Sequence, residues 1–384
     1  MKRLRNGLAA SLAFGLIAIG VNPIVAGDEL GRTGDEVKLS PSFGADRALE
    51  PTRLFNVKLS RNGRRVVAST RRVLYLWDGD TGRRLLQVEN AAPQHYLGSV
   101  DIDESGRRIV TGGVFDYGYP PTLLRSQPVL KGSLADLWDA NSGRLARTLV
   151  LHEQRFPQCA AISRNGARVA CAGASLDAKL WDAETGRELA SVDGTLPADS
   201  RATSGAFSDD ATRFVCRVTR DAGDRRVIHL CDLTARCTRT IAPIPGDRSS
   251  YGMVSISGDG SEVVAWLGDA PGREVAIFDF ATGALRKRLP GPECRGVSFL
   301  AVSPDEKAIA LGKEDGRLDI VDLVSGARVE LRVSDGPVRA VAFLPNRVRI
   351  VAERKFVVTS PEHSAGYWAG PLRIADFAVR LPTP

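Results

Sequence analysis

Histidine is scarce in this chain of 384 residues, and the short motifs of common catalytic chemistry are missing. Only four histidines occur, at positions 95, 152, 229 and 363, and none lies at metal-ligand spacing from another or from a pair of cysteines. The sequence has no glycine-rich phosphate loop, no HExxH and no GxSxG motif. We therefore expect no catalytic residue, no metal site and no cofactor, and predict that the protein is not an enzyme.

Long apolar runs are also lacking, except near the N-terminus. Three basic residues precede an apolar run over residues 8–21, and small residues follow near Ala26. This order is typical of a signal peptide, and the run is shorter than the roughly 20 residues that a membrane-spanning helix needs. A retained N-terminal anchor is the alternative. We predict a signal peptide over residues 1–26, a periplasmic or secreted protein, and no membrane contact after cleavage.

No block of like charge stands out. The formal net charge is +7, and loss of the three basic residues of segment 1–26 would leave +4. Because no Lys/Arg cluster is interleaved with aromatic residues, we expect no nucleic-acid partner. A hydrophobic content of 43% is that of an ordinary globular protein.

What the sequence does have is an internal repeat, and periods of about 40 to 50 residues signal propellers or solenoids. One recurring unit is a hairpin turn between two apolar runs, seen at residues 60–63, 103–106, 163–166, 208–211, 257–260 and 303–306. Asn, Asp and Gly in these turns tolerate positive φ or bond their own backbone, as a tight β-turn requires.

The second recurring unit is an apolar strand that ends in Asp, in most copies followed three residues later by Thr or Ser and then Gly. We assign a structural role to the repeat residues Trp77, Asp78, Trp138, Asp139, Trp181, Asp182, Asp232, Asp279, Asp322 and Asp376. Each carboxylate can accept bonds from the amides of the following turn. Each period then holds four short strands, and the seven aspartates predict seven blades.

These motifs resemble the WD-repeat β-propeller family, with LYLWDGDTG, ADLWDANSG, KLWDAETG and AVSPDEKAIALG as the best matches. The resemblance implies an all-β fold with a single seven-bladed propeller of four-stranded antiparallel blades over residues 52–384, preceded by the signal peptide. Residues 27–51 are then a linker or a closing strand. The outer strand of the last blade comes either from residues 36–39 or from residues 378–381, and its place after Asp376 favours the second.

The resemblance also implies a non-catalytic protein-interaction scaffold that acts outside the cytoplasm as a monomeric propeller. The alternative is a propeller enzyme or a quinoprotein-like protein with a site at the central channel. Quinone-cofactor dehydrogenases with similar repeats carry a Trp eight positions after the repeat Asp. Those positions are occupied here by Leu86, Arg147, Ala190, Lys287 and Glu330, which argues against that class.

Two long loops between the second and third strands of a blade mark a candidate partner site, because insertions cluster on the functional face of a repeat ring. The loops cover residues 113–134 and 353–371 and lie in the blades on either side of blade 1. Aromatic residues and Arg are enriched at interaction hot spots. We predict that a protein partner contacts Arg71, Arg72, Phe115, Tyr117, Tyr119, Tyr367 and Trp368. The alternative is that these insertions are decoration or fold over the ring.

Six cysteines in an exported chain permit disulfides. Cys216 and Cys231 are the most suggestive pair, because they fall on neighbouring strands of one predicted hairpin. The alternative is that these cysteines are small buried hydrophobic residues.

Overall fold

The structure is a computed structural model. It describes fourteen segments of the chain, residues 38–42, 56–70, 73–89, 95–115, 133–152, 157–173, 177–193, 200–220, 223–241, 251–267, 274–290, 296–344, 347–356 and 368–378. The predicted signal peptide over residues 1–26 lies outside these segments. Within them, no helix has the length and apolar character needed to cross a bilayer.

The described segments consist of short strands joined by turns. In chain order the strands are β1 (Lys38–Ser42), β2 (Asn56–Leu59), β3 (Arg65–Ser69), β4 (Val73–Asp78), β5 (Arg84–Glu89), β6 (His95–Ile102), β7 (Arg108–Phe115), β8 (Ser133–Asp139), β9 (Leu145–His152), β10 (Pro157–Ile162), β11 (Arg168–Gly173), β12 (Ala178–Asp182), β13 (Glu188–Val192), β14 (Ser200–Phe207), β15 (Arg213–Arg220), β16 (Gly223–Asp232), β17 (Cys237–Ile241), β18 (Tyr251–Ile256), β19 (Glu262–Leu267), β20 (Glu274–Asp279), β21 (Leu285–Pro290), β22 (Val297–Val302), β23 (Ala308–Lys313), β24 (Arg317–Asp322), β25 (Arg328–Arg332), β26 (Val338–Leu344), β27 (Arg347–Phe356) and β28 (Trp368–Ala378).

These strands form seven four-stranded antiparallel sheets, which we call blades. Blades 1 to 6 are β2–β5, β6–β9, β10–β13, β14–β17, β18–β21 and β22–β25, and the last sheet has the order β26, β27, β28, β1. Within each blade we call the strands a, b, c and d from the inner edge outward. Strand b is buried on both faces, as in β23, where all six residues are buried, because each sheet packs between two others.

The blades close into a β-propeller. Each inner strand contacts the inner strand of the next blade, from β2 through β6, β10, β14, β18, β22 and β26, and β26 contacts β2 again. A separate hydrophobic cluster fills each gap between neighbouring blades. The cluster between the last sheet and blade 1 joins Val351 and Ile374 to Tyr75 and Trp77. Burial of both faces of every sheet is thus achieved only by the ring.

The prediction of a propeller with seven four-stranded blades, the last of them closed by a C-terminal strand, needs correction. Only six sheets are blades of four strands that follow one another along the chain. The last sheet has three C-terminal strands and takes its outer strand, β1, from the N-terminal side, with Lys38 opposite Asp376 and Leu39 opposite Ala375. Residues up to Ala378 belong to strand c of that sheet, so they are not available as a separate strand d. The strand near residues 36–39 was the correct alternative.

Candidate functional site

The two ends of the ring differ in their connections. In blades 1 to 6 the a-to-b and c-to-d turns lie at one end, which we call the turn face, and the b-to-c and d-to-a connections lie at the other, the loop face. This follows from the antiparallel order of the four strands. All a-to-b and c-to-d turns of blades 1 to 6 belong to the described residues.

The a-to-b turns are held by their own side chains. In blade 1 the Ser60 hydroxyl donates to Asn62 Oδ1 at 2.9 Å and accepts the amide of Arg65 at 3.0 Å. Ser163, Ser208, Ser257 and Ser303 accept the equivalent amide in blades 3 to 6. The Ser-x-Asn/Asp pattern of the sequence is therefore explained by a turn that satisfies its own polar groups.

In the c-to-d turns, six of the seven repeat aspartates accept hydrogen bonds from the turn that follows them. In blade 3, Asp182 Oδ1 accepts the amide of Thr185 at 2.7 Å and its hydroxyl at 2.8 Å. The amide and then the hydroxyl of Thr185 lower the pKa of Asp182. Equivalent bonds are made by Asp78, Asp139, Asp279 and Asp322, whereas Asp232 uses Thr234 and Ala235. Asp376 has no such turn and binds Arg349 instead.

The repeat tryptophans lie in the core between blades. Trp77, Trp138 and Trp181 are all buried, and the indole of Trp138 donates to Thr111 Oγ1 at 2.9 Å. The three tryptophans thus serve packing between blades, and the repeat aspartates other than Asp376 serve turn formation.

An arginine opposite the repeat aspartate is a recurring contact that the sequence reasoning missed. Arg65, Arg108, Arg168, Arg213 and Arg349 each lie across from the aspartate of their own blade. Three of them also donate to a turn glycine carbonyl in the following blade, from Arg108 to Gly166 at 2.9 Å, Arg213 to Gly260 at 3.1 Å and Arg349 to Gly63 at 2.8 Å. The sequence signal was an Arg five residues after the first turn residue.

The a-to-b turns of successive blades are hydrogen-bonded to one another around the ring axis. The amide of Glu104 donates to the carbonyl of Arg164, that of Arg164 to Asp209, and that of Asp209 to Gly258, at 2.7–3.0 Å. The side chain of Asn62 donates to the carbonyl of Glu104 at 2.8 Å. The turns of blades 1 to 5 therefore converge and narrow the turn-face end of the central channel.

Two ion pairs occupy this narrow end, which we call the mouth. Arg61 of blade 1 pairs with Asp209 of blade 4, and because those blades are not neighbours, the pair spans the mouth. Arg164 binds both carboxylate oxygens of Glu104 at 2.7 Å. This contact lowers the pKa of Glu104 and raises that of Arg164. The Glu104–Arg164 pair is therefore charged at neutral pH.

Two ionisable residues, Lys58 and Asp101, lie farther along the inner wall, two residues before the turns of blades 1 and 2. Lys58 is exposed, and the Asp101 carboxylate accepts the amide of Ile162 at 3.1 Å. Burial raises the pKa of Asp101, and the charge of Lys58 opposes that shift. The equivalent positions in blades 3 to 6 are Ala161, Ala206, Ser255 and Ala301. At this level the inner wall thus combines short side chains with one lysine and one aspartate.

The described residues offer little acid–base or metal chemistry. His229 Nδ1 lies 3.1 Å from Thr240 Oγ1, and burial lowers the pKa of His229 to about 4, so its imidazole is neutral at pH 7. No group of three or more metal-ligating side chains occurs among the residues that the structure describes.

The predicted disulfide is absent. Cys216 lies opposite His229 and Cys231 opposite Phe214, so the two cysteines are diagonal rather than facing, and both are free. Diagonal neighbours in a sheet are farther apart than the usual disulfide geometry allows. Both thiols are buried in the cluster between blades 3 and 4, and burial raises the pKa of each. The alternative, cysteine as a small hydrophobic residue, describes them.

The loop residues of the predicted partner site are mostly not described. Arg71, Arg72, Tyr117, Tyr119 and Tyr367 lie outside the described segments. Phe115 ends β7 opposite His95, and Trp368 begins β28 opposite Phe356. Both positions are at the loop-face ends of the blades that flank blade 1, as the repeat order predicts. The partner site itself stays a prediction.

Comparison with known proteins gives one informative similarity, and no family model matches the chain. Over 157 residues the chain is 31% identical to "Tricorn protease homolog 1" of Streptomyces coelicolor. The match covers 40% of this chain and 14% of the relative, so the chain spans only a small part of that protein. The similarity overturns the prediction that the protein is not an enzyme, because the relative carries the name of a protease homologue. The WD-repeat resemblance gains no support from a family model and stays a prediction.

Proposed function

We propose that this propeller binds polypeptide segments in its central channel, entered from the loop face, and that this binding serves proteolysis. The main support for this proposal is the difference between the two ends of the channel. Its turn-face end is narrowed by hydrogen-bonded turns and spanned by the Arg61–Asp209 pair. A segment entering from the loop face would pass Lys58 and Asp101 on the inner wall. It would then reach the guanidinium groups of Arg61 and Arg164 at the mouth.

The chemistry of the channel suits a chain end. An α-carboxylate fits an arginine or lysine donor, and the positions equivalent to Lys58 in blades 3, 4 and 6 carry the short side chains of Ala161, Ala206 and Ala301. Phe115 and Trp368, two of the residues predicted to contact a protein partner, lie at strand ends on the loop face, where such a path would begin. The similarity to a protease homologue favours a polypeptide over a sugar or a small metabolite as the ligand.

The test is fluorescence anisotropy with two sets of labelled random-sequence decapeptides, one with a free and one with an amidated C-terminus. We expect the free-carboxylate set to bind more tightly and Lys58→Met to weaken its binding about tenfold. Lys307→Met is the matched control, because Lys307 is an exposed lysine on the turn face of blade 6. Equal effects of the two variants, or no binding of either peptide set, would refute the proposal.

Peptidase activity of the chain itself is a second candidate, which the similarity favours. It is tested by incubating the purified protein with a quenched fluorescent unfolded protein and identifying new termini by mass spectrometry. Cleavage that co-purifies with the propeller through two chromatographic steps supports it. Cleavage that separates from the protein assigns the activity to a contaminant and leaves polypeptide binding as the function.

A further inference from the structure

The charge of the turn face is divided into two halves. The six turn segments of blades 1 to 3 carry ten basic and seven acidic residues, whereas those of blades 4 to 6 carry three basic and nine acidic residues. The segments compared are residues 60–65, 78–83, 103–108, 139–144, 163–168 and 182–187 on one side, and 208–213, 232–237, 257–262, 279–284, 303–308 and 322–327 on the other. One arc of the ring is therefore net positive and the opposite arc net negative.

Several of the cations in the positive arc are available for an external partner. Arg64, Arg107 and Arg144 are exposed, and within the described segments no hydrogen bond or ion pair is recorded for their side-chain nitrogens. Their backbones are fixed by the turns, since the amide of Arg64 donates to Asn62 and that of Arg107 to Asp103. A rigid frame thus holds unpaired positive charge at the surface.

The two arcs are arranged so that the face is complementary to itself. A twofold axis parallel to the turn face, passing through the last sheet and between blades 3 and 4, would set blade 1 against blade 6 of the second copy. It would likewise set blade 2 against blade 5 and blade 3 against blade 4. The net charges of the turn segments are +2 against −2 for blades 1 and 6 and +1 against −1 for blades 3 and 4, and blade 2 is neutral against −3 on blade 5.

We propose that two copies of this chain associate turn face to turn face about such an axis. An isologous contact of this kind brings the same patch of both copies together, so a patch divided into opposite charges is the pattern that it requires. The mouth would be covered in the dimer, which leaves the loop face as the entrance to the channel. The proposal does not depend on polypeptide binding and is tested separately from it.

The test is a charge swap between blades 1 and 6, read by sedimentation velocity across a dilution series. Arg64→Glu and Glu306→Lys should each raise the dimer dissociation constant at least about tenfold, because each sets like charges opposite one another twice per dimer. The double variant, and an equimolar mixture of the two single variants, should regain association, since every contact then pairs opposite charges again. Measurement at about pH 8 keeps Glu306, whose pKa burial and Asp259 raise to about 7, ionised.

Two further variants control for net charge and folding. Arg332→Glu and Glu89→Lys make the same changes of charge on exposed positions at the loop-face ends of outer strands and should leave association unchanged. Association of the wild type should weaken between about 50 mM and about 500 mM salt, because exposed charges are screened. A wild type that is monomeric throughout the dilution series, or a double variant no tighter than the single variants, would overturn the proposal. Circular dichroism of each variant confirms that the ring is folded.

Discussion

Replacement of Arg349 by Met should destabilise the junction between the last sheet and blade 1 and lower the free energy of unfolding. Arg349 is only 2% exposed, and its guanidinium binds Asp376 through two bonds of 2.6 and 2.8 Å. It also donates to the Gly63 carbonyl at 2.8 Å and to Asp80 at 2.9 Å. One side chain therefore joins strands b and c of the last sheet to both turns of blade 1.

The magnitude follows from what the substitution leaves behind. Asp376 would keep a largely buried carboxylate without its cation, and the Gly63 carbonyl would lose its donor. Removal of one partner from a buried ion pair costs about 3 to 5 kcal/mol, whereas the contact to the half-exposed Asp80 adds little. We expect Arg349→Met to lower the free energy of unfolding by about 3 to 4 kcal/mol.

The assay is urea unfolding followed by tryptophan fluorescence at neutral pH. Arg65→Met is the matched control, because Arg65 holds the same position opposite the repeat aspartate in blade 1. Its pair with Asp78 at 2.8 Å is partly exposed on both sides. That control should cost at most about 1 kcal/mol. A double-mutant cycle with Asp376→Asn isolates the pair, and an Arg349→Met loss no larger than the control's would refute the reasoning.

Three further predictions concern titration, thiols and the N-terminus. Burial and Asp259 raise the pKa of Glu306 to about 7, so the free energy of unfolding of the wild type should fall as the pH rises from about 4.5 to above 7. Urea unfolding should show a fall of about 1 kcal/mol after solvent screening, and Glu306→Gln should abolish it. An unchanged pH slope in the variant would contradict this assignment. Among the described cysteines, native protein should label Cys237 fastest and leave the buried Cys171, Cys216 and Cys231 unlabelled; equal labelling of Cys171 and Cys237 would disprove the buried assignment. Intact mass after export should show loss of residues 1–26, and a full-length mass would favour the anchor.

The repeat chemistry was predictable from the sequence because it is local. A Ser or Asp at the start of a turn and an Asp before a Thr-Gly pair satisfy backbone groups within about six residues, so their spacing alone located the turns and most strands. Trp138 and Asp182, for example, have the packing and hydrogen bonds that their motif predicts. The mouth was not predictable in the same way, because its ion pair joins Arg61 and Asp209, which lie in turns of two separate blades.

The closing strand and the mouth were decided by the tertiary structure. The free edge of β28 can be paired by any strand that reaches it, and only the closed ring brings Lys38 beside Asp376. Arg61 and Asp209 belong to similar turns of blades 1 and 4, and nothing in either turn encodes that the side chains meet across the axis. The sequence by itself determined a set of hairpins that need burial on both faces. Closure of the ring determines which chain end completes the last sheet and which charged side chains face one another, because these contacts depend on the curvature of the whole set of sheets.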